Sequence, residues 1–308
     1  MKKLIIILGI VMLLSACTLR APSSSQRETL IPFEANPTIE YTATLTEPVP
    51  TFIFTSTATN SQTATLTPTI SVTPTPIFTP TPTLVFIPAG ELVAPILLYY
   101  RVDESDLASR FYVSPENFRK QMAYLKDQGY TSITISEFTL VLINGGELPA
   151  KPVLITFDDS DASIYENAFP IMQDMGYVGV VYLTGNRLYS DGFLSPEQLN
   201  EITAAGWQVG SQGMTHQDLT TLPEENLRYE LLQSRVDLED ILGVRVTTFA
   251  YPFGTMSGTI ANKLQEFGYY SAAGLGESSK HTWGSIYYLS RIEVQGIITL
   301  DDFATLLP

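Results

Sequence analysis

The sequence contains little cysteine, histidine or positive charge. Cys17 is the only cysteine among 308 residues, which excludes an internal disulfide and a cysteine-based zinc site. The two histidines, His216 and His281, are too few for a three-imidazole metal site, so carboxylate or amide ligands would have to complete one. Lysine and arginine total 17 against 32 acidic residues. The net charge of -15 argues against a nucleic-acid partner, because phosphates would be repelled.

The N-terminus has the features of an export signal. Lys2 and Lys3 precede an apolar run over residues 4–14, which is shorter than the roughly 20 residues of a membrane-spanning helix. The run ends in Leu-Ser-Ala-Cys at 14–17, which resembles the bacterial lipobox. We therefore expect residues 1–17 to direct export and Cys17 to carry a lipid that anchors the chain to a membrane, on its extracytoplasmic side in the cell envelope. The alternative is an ordinary signal peptide with an incidental cysteine.

Residues 18–88 are rich in threonine, serine and proline, and lysine and arginine are missing between Glu28 and Tyr100. Such a composition buries too little apolar surface to offset the entropy lost on ordering, and its prolines favour extended conformations. The segment is therefore predicted to be a disordered linker between the anchor and a folded domain over residues 93–308.

Strand and helix patterns alternate through the predicted domain. Short apolar runs predict strands at 93–100, 153–157, 178–183, 207–211 and 247–251, and near Ser271 and Arg291. Ser114-Pro115 and Ser195-Pro196 are helix starts, and Gly129, Gly176, Gly206 and Gly243 are helix ends. About seven strand–helix units in this length favour a parallel (β/α) barrel over an open sheet.

Polar residues follow several of these strands at their C-terminal ends, where α/β barrels carry their active sites. Asp158 and Asp159 end the strand at 153–157, and Gln212 and His216 follow the strand at 207–211. Adjacent carboxylates at a strand end point to different sides, so one can bind a metal while the other faces a water.

Five segments, in chain order, resemble the motifs of the polysaccharide deacetylase family (carbohydrate esterase family 4, the NodB-type domain). They are PILLYYRV at 95–102, LITFDDS at 154–160, GSQGMTHQDL at 210–219, FAYPFG at 249–254 and LSRIEV at 289–294. The family counterparts are PVLMYHRV, TFDDG, SHxxxHxxL, FAYPYG and LPRI-V. The resemblance implies a distorted NodB-like barrel, and the FAYPYG form favours the poly-N-acetylglucosamine branch.

The resemblance implies a metal-dependent N-deacetylase acting on an N-acetylglucosamine-containing polysaccharide. Asp158 takes the position of the general base. Asp159, Gln212 and His216 take the positions that hold a divalent metal, for which zinc is expected. A bound cation polarises the acetamide carbonyl and acidifies water.

Further roles follow from the same resemblance. The backbone N–H of Phe253 corresponds to an oxyanion donor, and a backbone donor survives the change from Tyr to Phe. Arg291 corresponds to an arginine that keeps the base ionised, although a plain structural ion pair is the alternative. Tyr100 and Tyr251 are candidate substrate-binding residues.

Three substitutions depart from the family pattern. Gln212 replaces a metal-binding histidine and is a weaker zinc ligand, Tyr100 replaces the histidine of MYHRV, and Ser160 replaces the glycine of TFDDG. The general acid of the family has no clear counterpart, because His281 is predicted to lie in a solvated loop.

Three functions remain open. The first is an active deacetylase. The second is an inactive carbohydrate-binding relative on the same scaffold. The third is a site rebuilt for another ion such as manganese or nickel. Trp283, Tyr287 and Tyr288 are aromatic residues that could stack on sugars or pack in the core.

Overall fold

Strands alternate with helices over residues 82–308, the part of the chain that this computed structural model describes. The strands are β1 (Leu84–Ile87), β2 (Glu91–Val93), β3 (Ile96–Tyr99), β4 (Arg101–Val102), β5 (Tyr112–Val113), β6 (Thr131–Ser132), β7 (Gly146–Pro149), β8 (Pro152–Phe157), β9 (Val180–Leu183), β10 (Gln208–Ser211), β11 (Thr248–Ala250), β12 (Ser271–Ala273), β13 (Lys280–Thr282) and β14 (Ile292–Glu293). The helices are α1 (Pro115–Asp127), α2 (Ile135–Asn144), α3 (Phe169–Met175), α4 (Pro196–Ala204), α5 (Glu224–Arg228), α6 (Ser234–Leu242), α7 (Gly258–Glu266) and α8 (Leu300–Thr305).

The central sheet has the strand order β12-β11-β10-β9-β8-β3-β14, and each neighbouring pair is parallel. Its two edges also meet, because Gly274 N–H donates to the Leu289 carbonyl at 2.9 Å and Gly276 N–H donates to the Arg291 carbonyl at 3.0 Å. These bonds link the end of β12 to the segment that enters β14. The predicted distorted barrel of about seven strands is confirmed.

The strands are buried on both faces, as parallel barrel strands are. In β8, Ile155 and Phe157 belong to the apolar cluster that includes helix residues such as Phe118 of α1, whereas Leu154 belongs to a second cluster with Tyr182 and Phe138 of α2. This alternation follows from the two-residue period of a strand. It leaves the residues just beyond each strand free to form a site at one end of the barrel.

Local sequence signals explain where the helices begin and end. Ser114 and Ser195 accept hydrogen bonds from backbone N–H groups in the first turns of α1 and α4. Gly176 and Gly243 adopt left-handed conformations at the ends of α3 and α6. The predicted helix starts and these two ends are confirmed.

Three regions differ from the predictions. The predicted boundary at 93 is wrong, because β1 lies inside the predicted linker and pairs antiparallel with β7. The apolar run at 93–100 is divided, since β2 pairs with β13 while β3 enters the barrel. Helix α2 was not predicted, although Thr134 and Glu137 form a capping box that the sequence displays.

The predicted signal peptide, the lipidation site at Cys17 and most of the predicted linker lie outside the described residues. Within residues 82–308, none of the helices has the length and apolar character needed to cross a membrane.

Candidate active site

The predicted site residues are held by strained turns at the strand ends. Among the described residues, the non-glycine residues with positive φ are Asp159 (71°), Ser160 (61°), His216 (59°) and Phe253 (59°). Each lies in a motif segment after β8, β10 or β11. Left-handed backbone at a non-glycine residue costs about 1–3 kcal/mol and persists where surrounding structure enforces it, often at functional sites. Ser160 adopts this conformation although it replaces a glycine, and its Oγ accepts a hydrogen bond from Thr184 N–H at 3.0 Å.

Asp158 and Arg291 form a buried, bidentate ion pair. Arg291 Nη1 donates to Asp158 Oδ1 at 2.6 Å, and Nη2 donates to Oδ2 at 2.8 Å. Asp158 is 2% exposed and Arg291 is 1% exposed. Burial raises the pKa of the Asp158 carboxyl, and Arg291 opposes that shift without cancelling it. The structure therefore brings Arg291 to the predicted base.

The Arg291 side chain is itself held by contacts with the Gly274 carbonyl and the Tyr182 ring. It precedes β14 and reaches through the barrel interior, where its Nε donates to the Gly274 carbonyl at 3.0 Å. Its guanidinium carbon lies 5.2 Å from the centre of the Tyr182 ring. An arginine held at both ends of its guanidinium gives Asp158 a single orientation.

Asp159 and His216 lie together on the other side of this turn. His216 Nε2 is 3.2 Å from Asp159 Oδ1, and that oxygen is buried and accepts no hydrogen bond within the described part of the chain. Arg187 Nη1 donates to the Asp159 carbonyl at 3.1 Å. Burial opposes ionisation of Asp159, but His216, Arg187 and Arg101 together outweigh it and lower the pKa of Asp159. Asp159 therefore carries a negative charge in a partly buried position.

Gln212 does not point its amide oxygen at the space between Asp159 and His216. The oxygen Oε1 accepts the backbone N–H of Asp159 at 3.0 Å. The amide Nε2 donates to Asp158 Oδ2 at 3.3 Å. Of the three predicted metal ligands, two converge, and the third is hydrogen-bonded to the pair of aspartates.

The remaining predicted residues divide into those at the site and those outside it. Phe253 is 61% exposed, and its ring lies edge-on to the His216 ring at 4.9 Å. Tyr100 follows β3, and its ring packs against Phe111 at 4.9 Å. Burial raises the pKa of Tyr100, and Asp158 and Glu293 add to the shift. The Tyr100 hydroxyl therefore stays protonated near the base.

Tyr251 is not placed to bind substrate. It is 1% exposed, and its hydroxyl donates to the Tyr287 carbonyl at 2.7 Å. The hydroxyl groups of Tyr287 and Tyr288 likewise donate to the Tyr269 and Gly254 carbonyls, at 2.8 and 2.9 Å. The prediction for Tyr251 is wrong, because its ring is buried in the core beneath the FAYPFG segment.

His281 is not a solvated loop residue. It lies in β13, it is buried, and its Nε2 is 3.2 Å from the Ala94 carbonyl. Its ring packs edge-on against Phe138 of α2 at 5.2 Å. Strand β13 pairs with β2, which precedes β3 and so lies at the opposite end of the barrel from the site. Trp283 follows β13 in the chain and donates its backbone N–H to the Gly90 carbonyl.

Glu230 is a site residue that the sequence did not reveal. Its buried carboxylate accepts the N–H groups of Met214 and Thr215, at 2.8 and 3.0 Å, and the Thr215 hydroxyl at 2.5 Å. These bonds hold the turn that carries His216. A π-helical turn, Tyr229–Gln233, places Glu230 between α5 and α6. A charged residue flanked by apolar ones in a helix was the available signal.

Comparisons with known proteins point to one family. Residues 145–272 match the family model of polysaccharide deacetylases. The chain is 26% identical over 210 residues to a poly-beta-1,6-N-acetyl-D-glucosamine N-deacetylase of Staphylococcus aureus (strain MSSA476), covering 63% of this chain and 71% of that protein. It is 24% identical over 200 residues to the protein YxkH of Bacillus subtilis (strain 168), described as a polysaccharide deacetylase, covering 65% and 71%.

A solved structure agrees. The polysaccharide deacetylase BC0361 from Bacillus cereus superposes with a TM-score of 0.63 at 26% identity, covering 71% of this chain and 70% of that one. The chain is therefore similar to polysaccharide deacetylases in sequence and in fold. The family match includes Asp158, Asp159, Gln212, His216 and Phe253, so the strained turns described above fall within it.

Two of the candidate site residues fit a divalent cation. Two ligand atoms of a tetrahedral zinc ion, each about 2.0–2.1 Å from it, stand about 3.3 Å apart. The 3.2 Å between Asp159 Oδ1 and His216 Nε2 matches such an edge. That oxygen accepts no hydrogen bond among the described residues, although Arg187 Nη1 lies 3.7 Å from it. The described residues contain no group of three histidine, cysteine, aspartate or glutamate side chains that could hold a metal.

Proposed function

We propose that this chain is a hydrolase that removes N-acetyl groups from an N-acetylglucosamine-containing polysaccharide. The observation that carries the proposal is the buried Asp158, held by Arg291 in one orientation beside the Asp159–His216 pair. A carboxylate whose pKa is raised by burial is a better general base than an exposed one. Its position just after β8, at the strand end where barrel enzymes carry out their chemistry, supports this role.

The chain's own groups suffice to assign each step of the hydrolysis. Asp158 removes a proton from the water that attacks the acetamide carbonyl carbon. The backbone N–H of Phe253, in its left-handed turn beside His216, is the candidate donor to the developing oxyanion. When the carbon–nitrogen bond breaks, the proton held by Asp158 can pass to the amine nitrogen, and acetate leaves.

Asp159 and His216 would hold a divalent cation, for which zinc is the first candidate and manganese or nickel the alternatives. When bound, such a cation supplies Lewis-acid polarisation of the carbonyl and acidification of water. Two protein ligands give weaker binding than three, so the occupied fraction should depend on the added ion.

The substrate and location are proposed on three supports. The Staphylococcus aureus relative is named for poly-beta-1,6-N-acetyl-D-glucosamine. The lipobox-like sequence before Cys17 and the linker composition support a lipid-anchored position in the cell envelope, facing away from the cytoplasm. Substituting Cys17 with serine should release the protein from the membrane fraction of its native host, and unchanged membrane retention would contradict the anchor.

Acetate release tests the activity. The full-length chain is incubated with N-acetylglucosamine oligomers and zinc, cobalt, nickel or manganese, beside Asp158→Asn and the exposed-carboxylate control Asp191→Asn. We expect Asp158→Asn to lower the rate by about 100-fold or more, because general-base catalysis contributes about 10²–10⁴-fold. Asp191→Asn should match the parent. Activity unaffected by Asp158→Asn would refute the mechanism.

The engaged amide of Gln212 favours a second candidate, an inactive carbohydrate-binding relative. With its oxygen on the Asp159 N–H and its nitrogen on Asp158, Gln212 offers no third ligand. If this candidate is right, the chain binds glycan but releases no acetate with any of the four added metal ions. Acetate release that appears only in Gln212→His would show that the scaffold is intact and that the metal site alone was lost.

A further inference from the structure

The side chain of Gln212 joins two neighbouring residues of another strand. It is 2% exposed and follows β10, while Asp158 and Asp159 follow β8. Besides the bonds to the Asp159 N–H and the Asp158 carboxylate, its Oε1 lies 3.5 Å from the Thr184 hydroxyl, which follows β9. A single amide therefore connects the ends of three adjacent barrel strands.

The orientation of this amide is set by its partners. An amide has an acceptor oxygen and a donor nitrogen. Rotating it by half a turn would place the oxygen against the Asp158 carboxylate and the nitrogen against the Asp159 N–H. Both contacts would be repulsive, so the observed orientation is the one the electrostatics allow. The oxygen is therefore committed to the backbone of Asp159 and not to the space beside His216.

The same bonds act on a strained segment. Asp159 has a φ of 71° and the following Ser160 a φ of 61°, a conformation that non-glycine residues adopt only when other contacts enforce it. The Gln212 oxygen holds the N–H at the start of this turn. It thereby fixes the direction in which the Asp159 carboxylate leaves the chain, toward His216 Nε2 at 3.2 Å.

We propose that Gln212 is a positioning residue that locks the two aspartates into divergent directions, Asp158 toward Arg291 and Asp159 toward His216, and that it is not a cation ligand. The proposal rests on the proposed deacetylase function. It replaces the expectation, drawn from the motif, that Gln212 binds the metal. The cation is then held by Asp159 and His216, and the lock compensates for the missing third ligand by keeping the other two in place.

Cobalt absorption separates a ligand from a positioning residue. The probe is Co²⁺ alone, added at saturating concentration to the full-length parent chain, Gln212→Met and His216→Gln. Methionine has the length of glutamine but neither hydrogen bond, and its thioether is a poor ligand for this ion. We expect Gln212→Met to give the parent's visible spectrum, with weaker affinity by about 10–100-fold as for other groups that orient ligands. His216→Gln should change the spectrum. A changed spectrum in Gln212→Met would overturn the proposal.

A second measurement needs neither cation nor activity. Thermal unfolding is followed in chelator for Gln212→Met, Asp158→Asn and the double variant. If Gln212 positions Asp158, the fall in Tm of the double variant should be smaller than the sum of the two single falls. The reason is that each substitution breaks the same hydrogen bond, from Gln212 Nε2 to Asp158 Oδ2. Additive falls would overturn the proposal even if the parent binds no cobalt.

The kinetic readout distinguishes this proposal from the function it rests on. If the parent releases acetate, Gln212→Met should lower kcat at least tenfold with little change in KM, since outer groups that aim catalytic residues act in this range. An unchanged kcat would contradict a positioning role. If the parent releases no acetate, the proposed function fails, while the spectral and unfolding results still decide the role of Gln212.

Discussion

At the scale of single residues, the site is organised by one buried charge pair. Asp158 has Arg291 on both carboxylate oxygens and Gln212 on one of them. Burying two charges is costly, and their attraction in the interior repays the cost only when the geometry is good and remaining hydrogen bonds are satisfied. The bidentate contact and the Gly274 carbonyl meet that condition for Arg291.

Arg291→Met should therefore destabilise the fold strongly. It leaves the buried Asp158 carboxylate without its counter-charge, which costs about 3–5 kcal/mol of unfolding free energy. Urea denaturation measures the loss. Adding Asp158→Leu to Arg291→Met should recover part of the lost stability, because the unpaired charge is then removed.

The matched control for this prediction is Lys120→Met, which breaks the exposed pair between Lys120 and Glu116 in α1. Because exposed ion pairs contribute little, the unfolding midpoint should stay at the parent value. Equal losses for Arg291→Met and Lys120→Met would mean that the buried pair does not hold the barrel together.

At the scale of elements, the turn after β10 depends on Glu230, which lies 15 to 16 residues further along the chain than the groups it binds. The π-helical segment between α5 and α6 inserts Glu230 toward the turn that carries His216. We expect Glu230→Gln to lower the unfolding free energy by about 1–3 kcal/mol, because an amide nitrogen would face an N–H or O–H donor that the carboxylate now accepts. Amide hydrogen exchange at residues 213–216 should become faster.

Glu225→Gln in α5 is the control, because Glu225 is exposed. Its stability and exchange should equal those of the parent. If Glu230→Gln behaves like Glu225→Gln, the carboxylate does not position the His216 turn, and the turn is held by its backbone alone.

His281 in strand β13 makes the free energy of unfolding depend on pH. Burial lowers the pKa of His281 from 6.5 to about 4. Between these values the unfolded chain binds a proton that the folded chain does not, so stability rises with pH across this window and falls as the solution is acidified. The full shift corresponds to about 3 kcal/mol.

Urea unfolding at several pH values between 4 and 7 measures that slope. Replacing His281 with glutamine removes the titrating group, so His281→Gln should show a shallower dependence than the parent chain over the same range. Parallel stability curves for the two chains would show that His281 ionises equally in the folded and unfolded states.

At the scale of the whole molecule, the barrel was predictable because its signals are repeated and local. Apolar runs, Ser-Pro helix starts and terminal glycines recur along the chain, and the C-terminal ends of parallel strands must meet at one end. Asp158, Asp159 and His216 could therefore be grouped from sequence. The contact of Arg291 with Asp158 was expected from the family motif.

What the sequence could not reveal were contacts decided by side-chain direction. The motif places Gln212 at a ligand position, but its orientation depends on the charge of Asp158 and on an N–H in a strained turn. His281 was predicted to be solvated because it follows Gly276 in a segment that was expected to be a loop. Its burial follows from the antiparallel pairing of β13 with β2, which joins segments almost 190 residues apart.

The start of the folded domain also depends on contacts between distant parts of the chain. Strand β1 pairs along its length with β7, from Leu84 opposite Pro149 to Ile87 opposite Gly146, although it follows a threonine- and proline-rich segment. A chain that begins at residue 90 loses these backbone bonds, and its unfolding free energy should be lower by about 2 kcal/mol than that of a chain that begins at residue 82.

The loss should be modest because Leu84, Val85 and Phe86 are exposed and bury little apolar surface. Acetate release per folded molecule should be the same for both chains, since β7 leads into β8 at the end of the barrel opposite to Asp158. Urea denaturation and the acetate assay are run on both. Equal stabilities would place the domain boundary back near residue 93, whereas a loss of activity without a loss of stability would mean that β1 acts on the site.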